Sequence, residues 1–119
     1  MLHSLQVSFL LKSYLDGKPD GTRLVMAGDF NDGLDASNYA DSPTPYAELL
    51  ADPAYAFTTK GLVSPRYPHV IDHQLVTDDL FAGYVANSAR VVNGDTIIGS
   101  DYSTTTSDHD PTRVEYTLP

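Results

Sequence analysis

The order and patterning of the apolar segments predict a mixed fold of helices and strands packed in layers. Leu2, Leu5, Phe9 and Leu10 recur at helical spacing near the N-terminus. A continuous apolar run over 24–27 is typical of a strand buried on both faces. Segments rich in branched residues follow later in the chain, and 119 residues with 41% hydrophobic content suffice for one domain with its own core.

The remaining elements follow from turn residues and hydrophobic spacing. The first helix is expected to end at the turn sequence 17–21, which contains two glycines and a proline. Residues 32–44 are rich in Gly, Asn, Ser, Asp and Pro, which predicts a loop, and Pro45 favours a short helix over 45–51. Branched and alternating patterns predict strands over 70–76, 84–92 and 112–118.

The composition excludes several classes of site. The absence of cysteine rules out disulfides, thiolate metal sites and a cysteine nucleophile. No apolar run approaches the roughly 20 residues of a membrane-spanning helix, and no secretory signal pattern is visible at the N-terminus. The net charge of −9 and the scattered cations weigh against extensive non-specific nucleic-acid binding, but they are compatible with a phosphate substrate approached through a metal ion.

Three polar clusters follow or interrupt the predicted strands: Gly-Asp-Phe-Asn at 28–31, Ile-Asp-His at 71–73 and Ser-Asp-His-Asp-Pro at 107–111. Asp72 lies inside an apolar strand, where an unpaired carboxylate costs several kcal/mol, so it requires a partner. A histidine suits this role because it donates one ring N–H to the carboxylate. His73 points to the opposite face of the strand, which leaves His69 and His109 as candidates.

Taken in order, these clusters resemble the C-terminal half of the endonuclease/exonuclease/phosphatase superfamily. The stretches 26–32 and 104–114 are most similar to its secreted bacterial nuclease-like members. The resemblance implies an α+β fold in which residues 1–119 form half of a four-layer α/β/β/α sandwich, with one mainly antiparallel sheet and flanking helices. It also implies a metal-dependent hydrolase of phosphoester bonds, of the phosphodiesterase or nuclease type.

The resemblance assigns a role to each matching residue. Asp29 corresponds to the aspartate that orients or deprotonates the attacking water, and Asn31 to the asparagine that contacts the scissile phosphate. Asp72 corresponds to the partner of the catalytic histidine, which is His109. Asp108 corresponds to a carboxylate ligand or near-ligand of the metal ion, Mg²⁺ or alternatively Mn²⁺ or Ca²⁺.

The same resemblance implies that part of the family's active site lies outside this chain. The family's N-terminal half supplies a glutamate that is the principal metal ligand, and neither Glu48 nor Glu115 is placed to replace it. A lone half exposes an apolar sheet face, which predicts a homo-oligomer or association with the N-terminal half.

Substrate identity and activity are left open. Arg66 and Tyr67, in the loop before Asp72, are the local candidates for contact with a phosphate-ester substrate, whether nucleic acid, phospholipid or inositol phosphate. The alternative function is an inactive, truncated or degenerate family domain that serves as a binding module. A Ser-His-Asp hydrolase using Ser107 is disfavoured because the Gly-x-Ser-x-Gly elbow is absent.

Overall fold

The computed structural model describes residues 2–40, 42–66 and 68–119. Its elements in chain order are α1 (Leu2–Asp16), β1 (Val25–Asp29), α2 (Ala47–Ala51), β2 (Tyr55–Phe57), β3 (Asp72–Thr77), α3 (Asp78–Phe81), β4 (Arg90–Val91), α4 (Gly94–Ile97), α5 (Tyr102–Thr105) and β5 (Thr112–Arg113). Helices combined with antiparallel strands give an α+β fold. Within the described ranges, no helix is both long and apolar enough to cross a membrane.

The described strands form two antiparallel sheets, so the expectation of a single sheet is wrong. The first sheet has the order β1-β3-β2, and the second pairs β4 with β5. In the first sheet the register places Asp29 opposite Asp72 and Gly28 opposite His73. This register brings two of the polar sequence clusters to the same end of the β1–β3 pair.

The hydrophobic core lies between α1, α2 and the three-stranded sheet. Its buried members are Leu15, Leu34, Tyr46, Leu49, Tyr55, Phe57 and Leu75. The predicted helix over 45–51 begins two residues late, at Ala47, although the hydroxyl of Thr44 accepts a hydrogen bond from the Tyr46 N–H. A difference of two residues is usual at a helix end.

Strand β1 is not buried on both faces as its apolar sequence predicts. All five of its residues are exposed, with Val25 at 49% and Met26 at 41%. The strand lies at the edge of the sheet and pairs only with β3 in the described part of the chain. An apolar run in a sequence therefore shows that a strand can be buried, but the described residues leave β1 exposed.

The two long strands predicted near the C-terminus are mostly interrupted. Over 84–92 only Arg90–Val91 is a strand, and over 112–118 only Thr112–Arg113. The segments still run side by side, since Tyr84 bridges Tyr116 and the Val85 N–H donates to the Glu115 carbonyl. A turn at Asn87, whose φ is 62°, breaks the ladder between them.

Candidate active site

The site begins where two aspartates face each other across neighbouring strands. Asp29 is the last residue of β1 and Asp72 the first of β3, and the two are paired in the antiparallel register. Directly opposed like charges destabilise a sheet, so this arrangement calls for a positive group nearby.

His109 supplies that group. Its Nδ1 lies 2.8 Å from Asp72 Oδ2 and 3.1 Å from Oδ1, and its Nε2 lies 4.0 Å from Asp29 Oδ2. Because a carboxylate only accepts hydrogen bonds, His109 Nδ1 is protonated and donates its N–H to Asp72. The hydrogen bond to Asp72, with the negative charges of Asp72, Asp29 and Asp108, outweighs partial burial and raises the pKa of His109 above its ordinary value of 6.5. The contact that Asp72 was expected to make with a histidine is therefore present, and His109 makes it.

The backbone of His109 is held independently of its ring. Its N–H donates to the Ser107 hydroxyl at 3.0 Å, and its carbonyl accepts from the Tyr102 hydroxyl at 2.6 Å. Asp108, one residue before, has a side chain that is 82% exposed, with Oδ1 4.0 Å from His109 Nε2. Asp29 and Asp108 thus both approach the ring nitrogen that Asp72 does not contact.

Asn31 enters the site through the turn that follows β1. Its backbone has a φ of 60°, a left-handed conformation that asparagine tolerates better than most residues. Its N–H donates to Asp29 Oδ1 at 2.7 Å, which fixes that carboxylate at the strand end. Asp32 continues the turn and is buried, and its carboxylate accepts hydrogen bonds from the Gly33 N–H, the Ser37 hydroxyl and the Asn38 N–H.

His73 lies on the opposite face of β3 from Asp72, as the alternation of a strand predicts. It is 2% exposed and packs edge-on against Phe30 and Phe57. Its Nε2 lies 2.9 Å from the Asp32 carbonyl and its Nδ1 2.9 Å from the Thr59 hydroxyl. Since a carbonyl only accepts, Nε2 carries the proton, and burial lowers the pKa of the ring. His73 is therefore a neutral core residue that braces the turn after β1.

Arg66 does not join this cluster directly. Its Nε donates to Asp110 Oδ2 at 2.9 Å and its Nη2 to Asp110 Oδ1 at 3.3 Å. The expected role in substrate binding would have to compete with this ion pair. Tyr67, named with it, lies outside the described residues.

A shallow cavity of about 300 Å³ opens at the cluster and is lined by Gly28, Asp72, Tyr102, Ser107, His109, Asp110, Pro111 and Thr112. Larger cavities of about 510 and 560 Å³ lie elsewhere, one beside α1 and one near its C-terminal end. The smaller cavity is the one that contains the hydrogen-bonded carboxylate–histidine pair. Its chemistry, rather than its size, makes it the candidate active site.

Sequence reasoning missed Tyr102 and Asp110 as parts of the site. Tyr102 lies in a stretch of Gly, Ser, Asp and Thr for which the sequence predicted no helix or strand, and it begins the single-turn helix α5. Asp110 gives a local signal only in being the second aspartate beside His109. Its partner Arg66 is 44 residues away, so no spacing rule could find the pair.

Carboxylate and imidazole groups around His109 could hold the metal ion that the family implies. Asp29, Asp72 and His109 offer ligand atoms that all lie within 4.8 Å of one another. Asp72 already accepts from His109, so Asp29 is the more suitable carboxylate donor of this group. Asp108, the predicted metal ligand, is not a member of the group, although its Oδ1 lies 4.0 Å from His109 Nε2. Carboxylate oxygens suit a hard divalent cation such as Mg²⁺, which keeps several waters and needs few protein ligands. The residues therefore fit such an ion as a partial ligand set.

Neither glutamate completes that set. Glu48 is exposed on α2 beside the cavity next to α1, and Glu115 forms an exposed ion pair with Arg113.

Comparison with known proteins agrees with the order of the motifs. The family model described as the endonuclease/exonuclease/phosphatase family matches residues 4–109. No curated protein and no solved structure matches the chain significantly. Members of the family are in general phosphoester hydrolases, such as nucleases and phosphatases, and are typically dependent on divalent metal ions. The family match covers most of the 119 residues, and the chain therefore belongs to the endonuclease/exonuclease/phosphatase family.

Proposed function

We propose that this chain carries part of the active site of a metal-dependent phosphodiesterase or nuclease. One observation carries the proposal: His109 bridges the two strand-end aspartates, 2.8 Å from Asp72 through Nδ1 and 4.0 Å from Asp29 through Nε2. A carboxylate–imidazole–carboxylate arrangement at the rim of a sheet is suited to moving protons and stabilising anionic oxygens.

Each residue has a distinct task in this proposal. Asp72 fixes the ring of His109 and favours its protonated form, so that Nε2–H can donate to a phosphoryl oxygen. Asp29 is more exposed and orients or deprotonates the attacking water, while Asn31 contacts the phosphate from the turn that also fixes Asp29. Negative charge on the phosphoryl oxygens grows in the transition state, where the imidazolium stabilises it most.

The implied cofactor is Mg²⁺, or alternatively Mn²⁺ or Ca²⁺, with Asp108 as a carboxylate ligand or near-ligand. Asp108 is the most exposed carboxylate of the cluster and lies beside His109 Nε2. When bound, such an ion supplies positive charge to the phosphate and the leaving oxygen.

We further propose that residues 1–119 form the C-terminal half of the family's domain. Exposed apolar surface supports this. Strand β1 is exposed, and helix α1 also exposes Phe9 at 62% and Leu10 at 67%. The missing half, or a second copy of the chain, would cover this surface. The missing half would also bring the glutamate ligand that the cluster lacks.

A second candidate function follows from the same incompleteness. A site with a partial ligand set loses several orders of magnitude in rate, and such a domain can persist as a binding module. The lack of a glutamate in the described cluster favours this candidate.

Hydrolysis of bis-p-nitrophenyl phosphate, compared with p-nitrophenyl phosphate, tests the proposal. We expect slow turnover of the diester with Mg²⁺ or Mn²⁺ and none in EDTA. Turnover that persists in EDTA would contradict the metal requirement. No turnover of either ester under any metal condition would favour the binding module.

A further inference from the structure

Arg66 and Asp110 form an ion pair between two loops, one before β3 and one carrying His109. Resting on the proposed function, we infer that this pair is a positioning device for His109 and that Arg66 acts through it rather than on the substrate. The pair makes the loop of residues 107–111 rigid at the point where His109 meets Asp72.

The geometry of the pair is that of a fixed structural contact. Arg66 donates from Nε and Nη2 to the two oxygens of Asp110, at 2.9 and 3.3 Å. This two-point contact fixes the relative orientation of both groups. The Asp110 side chain is only 3% exposed, and Asp110 Oδ1 also accepts from the Gly94 N–H at 3.0 Å. Removing the arginine would leave a buried carboxylate without its counter-ion, which is strongly destabilising.

Tyr102 links the pair to His109 by a second route. The Arg66 guanidinium lies over the Tyr102 ring, 5.8 Å from its centroid, and the Tyr102 hydroxyl donates to the His109 carbonyl. The ring also packs against Gly94, whose N–H binds Asp110. Arg66 is therefore connected to His109 by two routes. One runs through Asp110, which directly follows His109 in the chain, and the other runs through the Tyr102 ring.

The pair also borders Asp72. A cavity of only about 10 Å³, roughly the space of one water molecule, lies between residues that include Arg66, Asp72 and Asp110. With so little free space, a shift of Asp110 would be transmitted to the Asp72–His109 contact.

The contacts of Arg66 weigh against a direct substrate role. Its Nη2 also approaches Asp95 Oδ1 at 3.6 Å, so two of its three guanidinium nitrogens face carboxylates of this chain. A phosphate that took the place of Asp110 on Nε and Nη2 would leave the Asp110 carboxylate buried beside the anionic substrate. Two like charges in that position oppose binding.

The test compares Arg66→Gln, Asp110→Asn and the double variant, with Arg23→Gln as a control that removes the same charge from an exposed position. We expect each single variant to lower kcat about 10- to 100-fold with little change in KM, as is usual when a supporting contact is lost. The double variant, in which the two amides can still hydrogen-bond, should lose less than the two single effects combined. Arg23→Gln should leave kcat and KM unchanged.

An NMR measurement at fixed pH separates this inference from the proposed function. We expect the His109 ring resonances to move in Arg66→Gln and Asp110→Asn, while those of His73 stay in place and show that the core is folded. This readout needs no turnover, so an inactive wild-type chain would defeat the proposed function and leave the inference testable. A raised KM with unchanged kcat in Arg66→Gln, or unmoved His109 resonances in both folded single variants, would overturn the inference.

Discussion

The two ring nitrogens of His109 lie in different surroundings, and this difference determines which of them can exchange a proton with a ligand. Nδ1 is occupied by Asp72, whereas Nε2 faces the exposed side, where Asp29 and Asp108 each lie 4.0 Å away. A ring fixed at one nitrogen can hold or release a proton only at the other. The residue-scale claim is therefore that Asp72 sets both the orientation of His109 and its protonation.

Asp72→Asn tests this claim. The hydrogen bond that His109 donates to Asp72 is the largest cause of the raised pKa, so the variant should bring the pKa of His109 back toward 6.5. The rate should fall about 100-fold, and the alkaline limb of the pH–rate profile should move to lower pH. NMR titration of the His109 ring checks the pKa directly.

The raised pKa of His109 also makes the free energy of unfolding depend on pH. Because the folded protein raises the pKa of His109, the stabilisation is fully present below about pH 6.5 and is lost as the pH rises through the folded value. Asp72→Asn should reduce this pH-dependent part, because only the charges of Asp29 and Asp108 would still raise the pKa, whereas the exposed substitution Asp79→Asn should leave it unchanged. An unchanged titration of His109 in Asp72→Asn would contradict the assignment.

His73 illustrates the opposite case, a histidine kept neutral by burial. His73→Leu leaves the Thr59 hydroxyl and the Asp32 carbonyl without this partner, and each lost buried contact costs about 1–3 kcal/mol. We expect a loss of roughly 2–4 kcal/mol in the free energy of unfolding, measured with urea. His73→Gln, which retains an amide donor, should lose less. Equal stability of wild type and His73→Leu would show that the ring does not brace the turn.

At the scale of elements, the site depends on where strands end. The sequence predicted a strand ending near Asp29 and another containing Asp72, and the antiparallel register places these two residues opposite each other. A contact of Asp72 with a histidine was also predictable, because a carboxylate in an apolar strand needs a partner, but this argument left both His69 and His109 as candidates. The structure of the segment 93–106 was not predictable from the sequence. Its single-turn helices depend on contacts such as the packing of Tyr102 against Gly94, and such contacts leave no local sequence pattern.

Gly94→Ala tests the role of that packing. A Cβ at this position would overlap the Tyr102 ring and displace the hydroxyl that binds the His109 carbonyl. We expect a stability loss of about 1–3 kcal/mol, together with a lower kcat. Gly17→Ala is the matched control, since its Cβ would lie 3.4 Å from the Tyr14 carbonyl, an ordinary contact. A fully stable and fully active Gly94→Ala would exclude Tyr102 as a support for His109.

The exposed apolar residues of α1 form a second feature at this scale. Phe9 and Leu10 are more than half exposed, and such surface favours association. We expect the chain to self-associate at high concentration and Phe9→Glu/Leu10→Lys to weaken this association without unfolding, as measured by sedimentation. Val63→Glu, at an 83% exposed position in a loop outside α1, should leave the association unchanged. A strictly monomeric wild type would argue against a covered α1 surface.

At the scale of the whole molecule, fold and function are predictable to different depths. Three ordered motifs were enough to identify the family, and the match over residues 4–109 agrees. The apolar run over 24–27 alone predicted a strand buried on both faces, because such a run carries no information about which partner covers it. The family resemblance predicted an exposed apolar sheet face instead, and β1 is exposed. The same limit applies to the metal site, whose proposed glutamate ligand has no counterpart in the described cluster. The position of an acidic residue is more informative than the total charge: among the aspartates that the structure describes, Asp29, Asp72 and Asp108 gather around His109.

The central claim is that Asp29, Asp72 and His109 form a phosphoester-cleaving site, and one comparison tests it most directly. The rate of bis-p-nitrophenyl phosphate hydrolysis with Mg²⁺ is measured for wild type, Asp29→Ala and His109→Ala, each shown to be folded. We expect both variants to fall about 100-fold or more below wild type. Equal rates for all three proteins would contradict the claim.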